Sequence, residues 1–227
     1  MLVNREMWVS RPNAFNDPFD CALEPGRPKT TSDLQAQMCA LIDDLYDQKE
    51  ARQKKAEIID NNELRPIEEV SGKNVEKHIL EASKMGVFSL SETWSNILMW
   101  SHYARNHTGF CVEFDRINRA DNFLSHHMCR PVKYESDYPN LHRIVDLLEV
   151  NLYTKAEDWS YEKEWRLVAK EGNRLLPLPA PIRSITFGMK AAPEAIRTVQ
   201  NAVRDLDIDF FQAFRSPGKF SLSVQAI

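Results

Sequence analysis

Between Ser32 and Lys84 apolar residues recur at helical spacing, whereas from Gly86 onward they alternate with polar ones in short runs. Leu34, Met38, Leu41, Ile42 and Leu45 follow the i, i+3, i+4 pattern of one helix face, behind a capping signal at Thr31 or Ser32 with Gln35. The stretch from Gln48 to Asp60 is almost wholly polar and extends that helix, Pro66 interrupts it, and a second helix is predicted from Val75 to Lys84. Strands are predicted at Met7 to Ser10, GVFSLSE, GFCVEFD, PVKYES, KEWRLVA, IRSITFG, DIDFFQAFR and KFSLSVQA. Further helices are predicted over NILMWSHYA, from Leu141 to Ala156, and from Pro193, a good first helical residue, to Leu206. This order predicts one α+β domain over residues 1–227, with a mixed, mostly antiparallel sheet and a helical insertion at about 31–84.

The bulk composition narrows the setting. Residues are 43% hydrophobic and 27% charged, with a net charge of −4, which argues against broad nucleic-acid binding. No apolar run approaches the ~20 residues that span a bilayer. The opening MLVNREMW has no apolar core of an export signal, so a cytoplasmic chain off the membrane is expected. Cys21, Cys39, Cys111 and Cys129 are widely spaced and are expected to stay thiols.

Three stretches carry candidate chemistry. LMWSHYARNHTGFC gathers Trp100, His102, Tyr103, Arg105 and His107 on one short helix and its exit loop. Histidine titrates near neutrality, and two of them beside Tyr and Arg exceed what packing needs. In WSYEKEWR, a strand reaching back to Glu162 would put Glu162, Glu164 and Arg166 on one face by its period of two. Two like charges side by side cost stability unless a cation or a ligand uses them. In FSLSE, Ser89 and Ser91 share a strand face opposite Phe88 and Leu90. Metal chemistry has weaker support: His102 and His107 are five apart, and the adjacent His126 and His127 are expected to point in different directions. Cys111 beside either helix histidine would make a Cys–His pair, although buried, inert cysteines are the commoner case. Near the start, FNDPFDC is a turn built from Asn16, Asp17 and Pro18 and pinned by Phe15 and Phe19, with Asn16 and Asp20 as candidates for a further role.

In order, FNDPFDC, FSLSE, LMWSHYARNHTGFCVEFD, WSYEKEWRLV and IRSITFGMKA resemble a bacterial domain-of-unknown-function family, DUF2971, over nearly the whole chain. More distantly, a Ser-x-Ser strand followed by a Glu-x-Glu strand resembles the ADP-ribosyltransferases, which hold NAD in the cleft of a split, mostly antiparallel sheet. That resemblance implies NAD as substrate and an unidentified protein or nucleic-acid acceptor, as in a toxin or a phage-defence effector, and the histidine and cysteine spacing adds no metal to it. It implies that Ser89 and Ser91 shape the nicotinamide-ribose site and that Glu164 stabilises the oxocarbenium-like transition state. Glu162 would then orient or deprotonate the acceptor, and Tyr103 or Trp100 would stack on nicotinamide. The transferase pattern also has an Arg or His on its first strand, and ahead of Phe15 this sequence has only Arg5 and Arg11. Two other readings stand beside this one: a non-catalytic module binding a protein or nucleotide, and a Mg²⁺-dependent hydrolase using Asp17, Asp20, Glu113 and Asp115.

Overall fold

The computed structural model describes residues 1–22, 32, 35, 36, 38, 39, 42, 43, 46–61, 79–117, 122–138 and 144–227. Along the chain come β1 (Glu6–Val9), α1 (Gln48–Asn61), β2 (Gly86–Ser91), α2 (Ile97–Tyr103), β3 (Phe110–Phe114), β4 (Cys129–Pro131) and β5 (Lys133–Glu135). Then follow α3 (Ile144–Tyr153), β6 (Thr154–Ala156), β7 (Glu164–Ala169), β8 (Arg174–Pro177), β9 (Ile182–Phe187), α4 (Pro193–Ala202), β10 (Asp209–Arg215) and β11 (Leu222–Ala226). The chain is mixed α and β, and most strand pairs are antiparallel, as the alternating pattern predicts. The loop at Pro25 to Pro28, the cap at Thr31, the apolar positions Leu34, Leu41 and Leu45, the break at Pro66 and the helix start at Val75 lie outside the described residues.

The chain gathers into two units. The first comprises Met1–Ser10, Gly86–Val132 and Asp158–Ile227. Its three-stranded sheet has the order β2-β7-β4, and its four-stranded sheet the order β11-β10-β9-β3. A two-stranded ribbon, β1-β8, reaches β2 through the bridge between Ser10 and Val87. Alternation along β2 and β7 sends Phe88, Leu90, Trp165 and Leu167 to one face, where they pack with Met7, Val9, Leu124 and Cys129. Pro131 sits on the edge strand β4, where a missing N–H costs no ladder bond. In the four-stranded sheet, Ile185 and Phe187 of β9 are buried with Val203 under Ile196, Val199 and Ala202 of α4. Each such side chain contributes about 1.5–3 kcal/mol by leaving water. Helix α4 starts at Pro193 as predicted but stops at Ala202, because Val203 leaves the helical conformation at φ −126° and is fully buried.

The second unit comprises Arg11–Met85 and Lys133–Glu157. The Asn16–Pro18 turn is closed as its residue types predict, with the Asp17 carboxylate accepting from the Phe19 N–H at 2.9 Å, but Phe19, expected to pin it to a core, is 66% exposed and only Phe15 is half-buried. Met38 and Ile42, from the predicted apolar stripe, are buried. Asp47 caps α1 by accepting from the N–H groups of Lys49 and Glu50 at 2.9 and 3.0 Å, so the polar stretch is a helix with its own start. The helix predicted from Leu141 to Ala156 ends instead at Tyr153, and Thr154–Ala156 pair in parallel with β5. The extended backbone there buries Lys155, whose ammonium lies 3.5 Å from the Asp20 carboxylate.

One glycine in the first unit is fixed by close approach. A Cβ on Gly188, just after β9, would lie 2.2 Å from the His107 carbonyl oxygen. Gly188→Ala is expected to destabilise the protein by roughly 1–3 kcal/mol, as overpacking does. A lower urea midpoint with an unchanged slope would verify this, and an unchanged midpoint would refute it.

Candidate functional site

The polar face of the three-stranded sheet is the floor of the site. Antiparallel pairing of β2 with β7 sets Ser91 opposite Glu164 and Ser89 opposite Arg166, and β4 adds Arg130 opposite Arg166. Arg166 donates from Nε to Oε1 of Glu164 at 2.8 Å and from Nη2 to Oε2 at 3.1 Å. Arg166 is 0% exposed and Glu164 5%, so the two form a forked pair shielded from water and not a solvated ladder. A planar fork matches both carboxylate oxygens at once, which fixes their direction as well as their charge.

Glu162 reaches the site by a different route from the one predicted. It ends the 3-10 helix Glu157–Glu162, Lys163 turns left-handed at φ 45°, and the strand begins only at Glu164. The two carboxylates therefore do not share a strand face. The turn is held by the segment after β2. Ser91 Oγ donates to the Glu162 carbonyl at 2.6 Å, the Glu92 N–H to the Lys163 carbonyl at 3.1 Å, and Asn96 Nδ2 to the Tyr161 carbonyl at 3.3 Å. The Glu162 carboxylate, on a residue 4% exposed, accepts from the Tyr103 hydroxyl at 2.5 Å. Ser91 thus supports the backbone of the turn, while Ser89 is exposed on the same face.

Helix α2 divides the remaining candidates. Asn96 caps it, accepting from the N–H groups of Leu98 and Met99, so its one side chain fixes both the helix start and the Tyr161 carbonyl. Trp100, predicted as a stacking residue, is 2% exposed and packs with Ala104 and Leu222, its indole N–H donating to the Trp94 carbonyl. Its apolar ring fills the core in place of facing a ligand. His102 and Tyr103 are exposed. His102 Nδ1 lies 3.0 Å from the Tyr161 hydroxyl, and its ring meets Tyr103, Trp159 and Tyr161 edge-on at 6.1–6.5 Å. His107 is set apart from this group by its neighbours: it stacks on Trp100 and its Nε2 lies 3.3 Å from Ser101 Oγ. Ser101 Oγ also lies 3.0 Å from the Ile97 carbonyl, to which it can donate, and the buried Nδ1 of His107 has no hydrogen-bond partner among the described residues. Burial, and then the Lys190 ammonium, hold the His107 pKa below the ordinary histidine value. Arg105, Asn106 and His107 are consecutive left-handed residues, with φ of 48°, 55° and 69°.

Asn16 and Asp20 belong to the second unit, where Asn16 is exposed and Asp20 is buried beside Lys155. Glu113 accepts from Ser184 Oγ at 2.6 Å, and with Asp115 it faces Arg183 at 3.8 and 3.9 Å. Among the described residues no three His, Cys, Asp or Glu side chains gather as a metal site requires. His126 and His127, expected to point apart, lie side by side with ring centroids 4.1 Å apart and planes tilted by 39°. Arg5 pairs with Asp205 at 2.6 Å. The Cys111 thiol is pushed up to about 11 by burial and then by the Glu113 carboxylate, the reverse of what a nucleophile needs.

Two outcomes are expected from this geometry. Arg166→Met and Glu164→Gln should each destabilise strongly, by about 3–5 kcal/mol for the unpaired carboxylate. The double variant should lose less than the sum of the two, with a coupling of roughly 1–3 kcal/mol in urea denaturation, and strict additivity would contradict the fork. Cys111 should resist iodoacetamide at pH 8 in the folded protein and react in urea, as read by mass spectrometry of the peptide.

No curated protein and no solved structure matches the chain. Residues 99–167, which run from α2 through Glu162, Glu164 and Arg166, match the profile of the family described as Protein of unknown function (DUF2971), so the family resemblance read from the sequence holds over that segment.

Proposed function

We propose that the first unit binds NAD as an ADP-ribosyltransferase-like module, with its two main sheets as the split sheet of such a fold. The observation that carries this reading is the register that sets Ser91 opposite Glu164 and Ser89 opposite Arg166, with the Glu162 carboxylate fixed at the end of the same strand pair. Cleavage of the nicotinamide C–N bond develops positive charge on the ribose. A carboxylate already oriented in a dry site favours that charge most, because nothing has to reorganise as it forms. Glu164 is given that role, Arg166 orients it, and Ser89 faces the ribose. Glu162 takes the proton of the acceptor. His102, Tyr161 and Trp159 present ring faces and edges beside it, suited to a planar group.

A second reading has its own observation. Both carboxylates already have a partner in the chain, Arg166 for Glu164 and Tyr103 for Glu162. Satisfied groups of this kind also suit a non-catalytic module in which the network specifies the fold.

Calorimetry with NAD separates the two. The first reading expects saturable binding by wild type that is weakened about tenfold or more, ~1.4 kcal/mol, by Glu164→Gln in a variant whose circular dichroism is unchanged. Absence of binding at millimolar NAD would remove it and leave the non-catalytic module.

A further inference from the structure

We propose that Tyr103 is a further catalytic residue, the proton conduit between the acceptor and Glu162. The proposal rests on the ADP-ribosyl reading above. Glu162 is 4% exposed, whereas Tyr103, whose hydroxyl donates to its Oε1 at 2.5 Å, is 49% exposed. Glu162, assigned to take the acceptor's proton, is therefore a covered residue, and the residue that touches its carboxylate is half exposed. Because Lys163 turns left-handed, Glu162 does not follow the outward path of the strand, and its carboxylate points to where the phenol stands. A phenol that donates its one proton inward can accept an outer O–H or N–H through its oxygen lone pairs.

With water as acceptor the step balances. The ribose C–N bond breaks, and its electron pair leaves with neutral nicotinamide. The water oxygen bonds to the ribose carbon. The proton released by that water passes to the Tyr103 oxygen as the phenol's own proton passes to Glu162 Oε1. Tyr103 ends as it began, and Glu162 ends protonated. His102, edge-on to the Tyr103 ring at 6.2 Å and within 3.0 Å of the Tyr161 hydroxyl, keeps the phenol beside the turn. Tyr103 is thereby reassigned from a ring that stacks on nicotinamide to a hydroxyl that carries a proton.

The test is nicotinamide release from NAD by wild type, Tyr103→Phe, Glu162→Gln and the double variant, with NAD affinity measured in parallel by calorimetry. Positioned general base catalysis contributes about 10²–10⁴-fold. Tyr103→Phe is expected to lower kcat by about 100-fold, to leave NAD affinity within about twofold, and to abolish the solvent deuterium isotope effect expected of wild type. The double variant is expected to be no slower than Glu162→Gln, since both changes cut one path. A Tyr103→Phe kcat within about twofold of wild type, or losses that multiply in the double variant, would overturn the conduit while leaving the ADP-ribosyl reading intact. No nicotinamide release by wild type would overturn both, and is distinguished by occurring before any substitution is made.

Discussion

Arg166 is the largest of the fully buried side chains among the described residues, and it carries a full charge into the middle strand of a three-stranded sheet. Placing a guanidinium there without an answering carboxylate would be costly by several kcal/mol. Glu164, two residues earlier on the same face, supplies that answer with both oxygens. The fork constrains everything around it. It requires β7 to stay extended from Glu164 onward, and it fixes which residues of β2 and β4 meet the polar face. A one-residue slip of β2 would bring Phe88 and Leu90 onto the ion pair and turn Ser89 and Ser91 into the apolar core.

The fold is divided by that face. Below β2 and β7, apolar side chains join Met7, Val9 and Leu124 in a conventional core. Above, the charged pair is dry yet polar, and the Glu162 turn is laced to the segment between Ser91 and Tyr103 by hydrogen bonds from five of its residues. A low-dielectric setting strengthens each of those bonds and equally raises the penalty for any that is lost. The site is accordingly rigid where its carboxylates sit and open where Tyr103, His102 and Ser89 are exposed.

Much of this was legible in the sequence because period-two alternation is a local property. Ser89 with Ser91, and Glu164 with Arg166, could be placed on shared faces from spacing alone, and the antiparallel register then brought the pairs together. What was not legible depended on distant contacts. Glu162 belongs to the strand by pattern and to a 3-10 helix in fact, because bonds from Ser91, Glu92 and Asn96 capture its turn. Trp100 reads as a ring for stacking on a ligand as readily as a core residue, and it is Leu222, more than a hundred residues later, that packs on it and decides for the core. The overrun of the helix at Thr154 has the same origin: helical propensity continued, but a parallel strand partner won. The Asn96 cap, by contrast, has a local signal, Asn directly ahead of the apolar Ile-Leu-Met, although the helix predicted over NILMWSHYA takes that residue as its first turn.

The left-handed run at Arg105, Asn106 and His107 has a consequence for the order of assembly. Each such residue costs about 1–2 kcal/mol in an isolated chain, and local bonds offset part of that cost, the His107 N–H donating to the Trp100 carbonyl at 3.1 Å and the Gly109 N–H to the Ala104 carbonyl at 2.8 Å. The rest is supplied from a distance, by the Lys190 N–H reaching the His107 carbonyl at 2.9 Å and by the bare Cα of Gly188 lying against it. Helix α2 can wind early from its Asn96 cap, but its exit is fully held only once a segment some eighty residues downstream docks on it, which makes that docking a late event and its loss an early one during unfolding.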